Sequence, residues 1–179
     1  MARKPRQIFE GAYYHVFNRG VEKRPIYFDA IDRITFLKLL GEAATELKWK
    51  VFCYCLMDNH YHLFLQNTVP NLDKGMQKFQ GRYAQFINLR YERVGYLFQG
   101  RYQSRIVDID SYALELCRYI HKNPLELALE KPLELYEWSS YPSYLGIIPR
   151  PKWLDTDWML SLLSDNPEHS VKAFKSLYQ

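Results

Sequence analysis

What this 179-residue chain has little of narrows its class before any motif is sought. It has three cysteines, Cys53, Cys55 and Cys117. An odd number cannot be paired into a disulfide framework, and it fits a reducing compartment. No apolar run approaches the ~20 residues of a membrane-spanning helix. The basic start Met1-Ala2-Arg3-Lys4-Pro5-Arg6 leads into no apolar stretch of the secretory kind. Internal repeats and low-complexity segments are also missing, which excludes solenoids and biased tracts. The expectation is a cytoplasmic protein with no membrane partner.

What is there reads as one globular domain with a short appendage. Hydrophobic residues at 47% and charged residues at 25% are ordinary globular usage. A chain of this size buries roughly two thirds of its unfolded surface, so it needs neither disulfide nor metal merely to fold. Aromatics are abundant, with 15 Tyr, 10 Phe and 4 Trp. The net charge of +4 is unevenly spread: residues 76–105 carry +5 and residues 124–179 carry −3. A basic middle can meet a polyanion, or it can be a solvated helix face.

Residues 12–18 are aromatic and β-branched, with Gly20 close behind, and read as a strand. Residues 29–48 read as a helix with Ile31, Ile34, Leu37, Leu40, Ala44 and Leu47 as its buried stripe and Asp29 or Asp32 as its cap. Two β-rich runs, 49–57 and 61–65, flank the turn dipeptide Asp58-Asn59 and form a hairpin. Beyond Pro70-Asn71 a second helix buries Leu72, Met76, Phe79, Tyr83, Phe86 and Ile87, and turns Lys74, Lys78 and Arg82 to another face. Residues 101–107 read as a fourth strand. Asp110 is placed to cap a third helix that buries Ala113, Leu116, Cys117 and Ile120 and ends at Pro124. The order β-α-β-β-α-β-α is the split βαβ, ferredoxin-like pattern. It implies an α+β fold, a mostly antiparallel sheet with helices on one face. Residues 1–124 are expected to form this domain. Residues 125–179, with five prolines and three tryptophans, are expected to form a packed C-terminal extension.

His60-Tyr61-His62 opens a strand. Side chains two apart on a strand point the same way, and two neutral imidazoles can chelate one divalent cation. A partly exposed pair at a hairpin end is the alternative. On the third helix, Tyr119 and Asn123 are four apart and share a face about 100° from the centre of the apolar stripe. That face leaves the hydroxyl unburied and makes the amide oxygen a candidate third ligand. Equally, Tyr119 is a rim tyrosine and Asn123 the helix C-cap.

These residues also carry a resemblance. Leu56-Met57-Asp58-Asn59-His60-Tyr61-His62-Leu63-Phe64-Leu65 resembles the HUH motif (His, bulky hydrophobic, His) of single-tyrosine transposases. Tyr119-Ile120-His121-Lys122-Asn123-Pro124 resembles the box holding the nucleophilic tyrosine in their REP-associated branch. Tyr14 to Gly20 is similar to the first strand of that family, and Gly95 to Tyr102 to the stretch before its last strand. Trp138-Ser139-Ser140-Tyr141 through Leu145-Gly146 is similar to its tail. The blocks span about residues 10–146.

The resemblance implies a ferredoxin-like core that cuts and rejoins single-stranded DNA, often beside a hairpin, through a 5′-phosphotyrosine. Tyr119 would be the nucleophile, and His60, His62 and Asn123 the ligands of Mg2+ or Mn2+. Some relatives carry Gln at the third position, and Asn is shorter. The site is completed in one chain or across a homodimer. Lys78, Arg82, Arg90, Arg93, Arg101 and Arg105 would then neutralise phosphates. Tyr83, Tyr91, Tyr96, Phe98 and Tyr102 would offer rings to unpaired bases. Arg3, Lys4 and Arg6 would form an arm toward a hairpin groove. His15 on the first strand is a near-site candidate, and His121 a bystander or DNA contact. No carboxylate in the motifs is an evident general base, since Asp58 reads as a turn-former.

Two rival readings stand beside this one. With a two-residue turn at Asp58-Asn59, Cys55 faces His62 and Cys53 faces Phe64, so Cys53, Cys55, His60 and His62 could converge on a structural zinc. A non-catalytic nucleic-acid-binding module would instead rest on the aromatics and the basic patch, with the histidines incidental.

Overall fold

The computed structural model describes residues 7–126 and 132–178. The arm expected at Arg3, Lys4 and Arg6 lies outside the described residues. Four strands, β1 (Ala12–Arg19), β2 (Trp49–Met57), β3 (His60–Asn67) and β4 (Gln103–Ile106), pair in the order β2-β3-β1-β4. Each neighbouring pair is antiparallel. Helices α1 (Ala30–Glu46), α2 (Leu72–Arg90) and α3 (Ile109–Glu126) complete the ferredoxin-like order that the sequence implies.

Strand alternation divides the core in two. Tyr14, Val16, Tyr54, Leu56, Tyr61, Leu63 and Leu65 pack against α1 and α2. Cys53, Cys55, Met57 and Phe64 pack on the other side against Ala113, Leu116, Cys117 and Ile120 of α3. Helices therefore cover both faces of the sheet rather than one. The reason lies in β2 and β3, which are buried at nearly every position; a strand that is apolar on both sides needs cover on both. The register agrees with a two-residue turn, with Cys55 opposite His62 and Cys53 opposite Phe64. A bulge between Val51 and Cys53 then places Phe52 beside Cys53 in the second core.

The inner face of α1 differs from the expected stripe. Ile31 and Ile34 are 54% and 57% exposed, whereas Asp32, Phe36, Leu39, Leu40, Ala43 and Ala44 are buried. Asp32 decides this. It closes a capping box with Asp29 and accepts from Phe28 N–H (2.7 Å), Tyr91 Oη (2.9 Å) and Arg90 (2.5 Å). A buried carboxylate so fully bonded turns the helix about its axis, and the apolar count alone misreads it. In α2 the stripe is as expected, apart from a half-buried Phe86 and a buried Gln80. Helix α3 starts at Ile109, so Asp110 falls inside its first turn; that side chain lies outside the described ones.

Residues 136–155 cover the outer edge of β2. Leu56 N–H donates to Trp138 O, Ser140 N–H to Tyr54 O and Asp155 N–H to Val51 O. The Tyr136 and Tyr144 hydroxyls donate to Leu56 O and Phe52 O, both at 2.7 Å. An otherwise open strand edge is thereby closed. Short helices α4 (Tyr141–Tyr144) and α5 (Asp157–Ser161), then α6 (Pro167–Ser176), bring Tyr141, Tyr144, Met159 and Phe174 into the α3-side core.

Gly75 in α2 tests this packing. A Cβ there would overlap the Trp49 ring and Leu47 Cδ1. Helix propensity alone favours Gly→Ala by about 1 kcal/mol. We expect Gly75→Ala instead to destabilise by ~1–3 kcal/mol through overpacking, read from urea unfolding midpoints. A stabilised variant would contradict the close approach.

Candidate active site

The pleat of β3 sends His60 and His62 toward the α3 side and Tyr61 toward the other. Tyr61 is fully buried and accepts at its hydroxyl from Gln80 Nε2 at 2.7 Å. Antiparallel pairing sets Arg19 opposite His60, Phe17 opposite His62 and His15 opposite Phe64. His15 is therefore the diagonal neighbour of His62 on the same face. Its Nε2 lies 2.8 Å from His62 Nδ1, and the two rings stack with centroids 5.0 Å apart. His60 Nδ1 lies 2.7 Å from Asn59 Oδ1. Both rings of the H-x-H pair are thus oriented through Nδ1, so ligation of a cation would use Nε2.

Burial holds His15 and His62 neutral. It lowers His15 to about 4, with Arg105 adding to the effect. It lowers His62 to about 2, with His15 and His60 adding. Neutral imidazole is the form that binds metal.

Tyr119 comes from α3. Its ring stands edge-on to His62 at 5.8 Å and to His15 at 6.0 Å, and the residue is 43% exposed. One turn further on, Asn123 is buried, and its Nδ2 donates to Tyr119 O (3.0 Å) and Ile120 O (3.4 Å). The second bond replaces the one that Pro124, lacking an N–H, cannot give to the same carbonyl. The helix therefore passes through Pro124 to Glu126 instead of ending there. The described bonds of Asn123 run into its own helix and none reaches the histidine pair.

A cleft of about 710 Å3 opens beside the pair, lined by Phe17, Arg19, Lys23, Asn59, His60 and Arg101, among others. Arg19 and Lys23 were not singled out in the sequence. The signal was available for Arg19, which faces His60 once β1 and β3 are paired. Of the basic residues that were singled out, Arg101 lines this cleft, and the Arg105 guanidinium lies over the Phe17 ring at 5.6 Å. The others lie with α1 and α2. Lys78 pairs with Glu46 (2.5 Å) and Arg82 with Glu42 (2.8 Å), while Arg90 bridges Asp29 and Asp32. Arg93 lies over the Phe28 ring at 5.4 Å. Among the aromatics, Tyr83, Phe98 and Tyr102 are buried core, Tyr91 is half-buried and Tyr96 is open to solvent.

The four-residue zinc set does not form. Among the described residues, the one group of three or more His, Cys, Asp or Glu with ligand atoms within 4.8 Å of one another is Cys53, Cys117 and His121. Cys55 Sγ instead contacts Met57 Sδ at 3.5 Å. His121 is fully buried, and so it is no DNA contact. Its Nδ1 lies 2.7 Å from Tyr178 Oη and its Nε2 2.6 Å from Ser140 Oγ.

A family profile described as IS200-like transposase matches residues 8–123. Among solved structures, a REP-associated tyrosine transposase bound to a REP hairpin has 10% identity and a TM-score of 0.69, covering 88% of this chain and 96% of its own. A candidate transposase from Deinococcus radiodurans R1 has 17% identity and a TM-score of 0.46, covering 68% of this chain and 97% of its own. No curated protein sequence matches.

The buried imidazoles make stability fall with acid. A pKa lowered from 6.5 to about 4 means the unfolded chain binds more protons across that window. For metal-free protein, the unfolding midpoint should therefore drop as pH falls through this range. His15→Gln should flatten the drop; an unchanged slope would mean that His15 is not held neutral.

Proposed function

The chain belongs to the IS200-like transposase family, and we propose that it cuts and rejoins single-stranded DNA beside a hairpin, with Tyr119 as nucleophile. The observation that supports this best is the meeting of Tyr119 from α3 with the His15–His62 pair of the two central strands. The structurally similar transposase bound to a REP hairpin supports a hairpin-bearing DNA as the substrate class.

The donor set fits a divalent cation whose remaining positions are filled by oxygen. His60 and His62 would each offer Nε2. Asn123 would offer Oδ1, because its Nδ2 is committed to the helix backbone. A bound Mg2+ or Mn2+ would polarise the scissile phosphate and offset its developing charge, with DNA phosphate oxygens completing the shell. The Tyr119 oxygen attacks phosphorus, the bond to the 3′ oxygen breaks, and a 5′-phosphotyrosine and a 3′-hydroxyl result. The phenol proton passes to water, and the departing 3′ oxygen takes one up. The ester stores the bond energy, so a 3′-hydroxyl can reverse the step without ATP. His15 acts as a positioning residue, holding the His62 ring from behind. Arg19, Lys23, Arg101 and Arg105 meet the phosphates that lead into the cleft. One chain supplies both the histidines and the tyrosine, which favours a site complete in a single protomer. The domain expected at residues 1–124 would carry this chemistry, and the described part of the extension, residues 132–178, braces it.

The test is a denaturing gel of protein with labelled single-stranded hairpin DNA and Mg2+ or Mn2+. An SDS-resistant adduct should form with wild type and vanish in Tyr119→Phe and in His60→Ala with His62→Ala. All of these variants should still retard DNA on a native gel. Retardation without an adduct under either metal would favour the non-catalytic binding module. His15→Ala should weaken metal affinity ~10–100-fold while leaving DNA affinity unchanged. Unaltered metal affinity would remove His15 from its positioning role.

A further inference from the structure

On α3, Cys117 and His121 are one turn apart and share a face, while Tyr119 between them points to the opposite side. We propose that Cys53, Cys117 and His121 form a zinc site, distinct from the His60–His62 pair and independent of the transposase reading.

The three side chains are fully buried, and both cysteines are free thiols. Their ligand atoms lie within 4.8 Å of one another. Cys117 Sγ and His121 Nδ1 are 3.8 Å apart. With Zn–S of about 2.3 Å and Zn–N of about 2.0 Å, the sulfur–nitrogen edge of a tetrahedral site spans about 3.5 Å. The Cys117–His121 pair is thus close to the spacing of two ligands on one ion, with Cys53 Sγ within 4.8 Å of both. The His121 ring is set for the task. Its Nε2 lies 2.6 Å from Ser140 Oγ, a partner able to take the ring proton in the tautomer that leaves Nδ1 bare for a metal. The Tyr178 hydroxyl lies 2.7 Å from that Nδ1 and hydrogen-bonds Cys117, so it is within reach as a fourth ligand. Burial would raise the Cys117 thiol, yet the hydrogen bond from Cys53 and the nearby His121 bring it down to about 5. Burial and Cys117 together push Cys53 up.

The chemistry of the donors selects the ion. Two sulfurs and an imidazole suit Zn2+ and disfavour Mg2+ or Mn2+, which take oxygen. On binding, zinc displaces the thiol protons to solvent and both sulfurs ligate as thiolates. Filled, the site joins β2, α3 and the C-terminal segment around one ion. The helical Cys-x-x-x-His pair is visible in the sequence, but its partner Cys53 lies far away in the chain.

Elemental analysis of protein purified without added chelator should find about one zinc per chain. Cobalt exchanged into wild type should give tetrahedral d–d bands together with thiolate-to-cobalt charge transfer. Both signals should persist in His60→Ala with His62→Ala and disappear in Cys53→Ser with Cys117→Ser. The cobalt spectrum of folded wild type decides the matter even if the cysteine variant fails to fold. A cobalt spectrum without thiolate charge transfer, or a Cys53–Cys117 disulfide in freshly purified, zinc-free protein, would overturn the assignment. So would charge transfer that survives the double cysteine substitution.

Discussion

The pleat of β1 against β3 is the constraint on which the rest of this molecule depends. Its period of two sends His15, Phe17, His60 and His62 to one side, and Tyr14, Val16, Tyr61 and Leu63 to the other. A slip of one residue would bury the imidazoles among the rings of α1 and α2 and expose the core. The register is therefore enforced by packing, and the histidines inherit their placement from it. The hydrophobic face needs no site in order to form, but the site needs that face.

Tyr119 is fixed differently. Strand alternation places the imidazoles, whereas the tyrosine depends on how α3 lies across the sheet. Ala113, Leu116, Cys117 and Ile120 press the helix onto β2 and β3, and the buried His121 ties it to Ser140 and Tyr178. Asn123 carries the helix past Pro124, so the turn after Tyr119 does not unravel. The exposed tyrosine stands on a helix held from behind and below. Such rigidity suits the nucleophile proposed for this position, which would have to meet a phosphate in line.

The order of elements and the hairpin register were legible because each rests on a local signal: β-rich runs, a turn dipeptide and helical spacing. The H-x-H pair and the Tyr119–Asn123 spacing were legible for the same reason. What stayed hidden was set by partners distant in sequence. Asp32 reads in the sequence only as a candidate helix cap, but Arg90 and Tyr91 draw it into the core and rotate α1. Lys78 and Arg82 looked like a phosphate track, but Glu46 and Glu42 of α1 already answer them. His121 looked incidental because its partners Ser140 and Tyr178 belong to the extension. Charge and polarity read along one segment cannot say which segment will neutralise them.

The bracing of α3 from the C-terminal side also sets an order of events during synthesis. Leu177 O accepts from Arg118 across 59 residues, and Tyr178 reaches His121 across 57. The edge of β2 likewise waits for Trp138, Ser140 and Asp155. A nascent chain grows from its N-terminus at roughly 5–20 residues per second. The strands and the helix bearing Tyr119 therefore emerge seconds before the segments that seat them. Until those arrive, the second core is half uncovered and the tyrosine has no fixed station over the imidazoles. The fold thus delays the meeting of Tyr119 with the imidazoles until residues far downstream of them have been made.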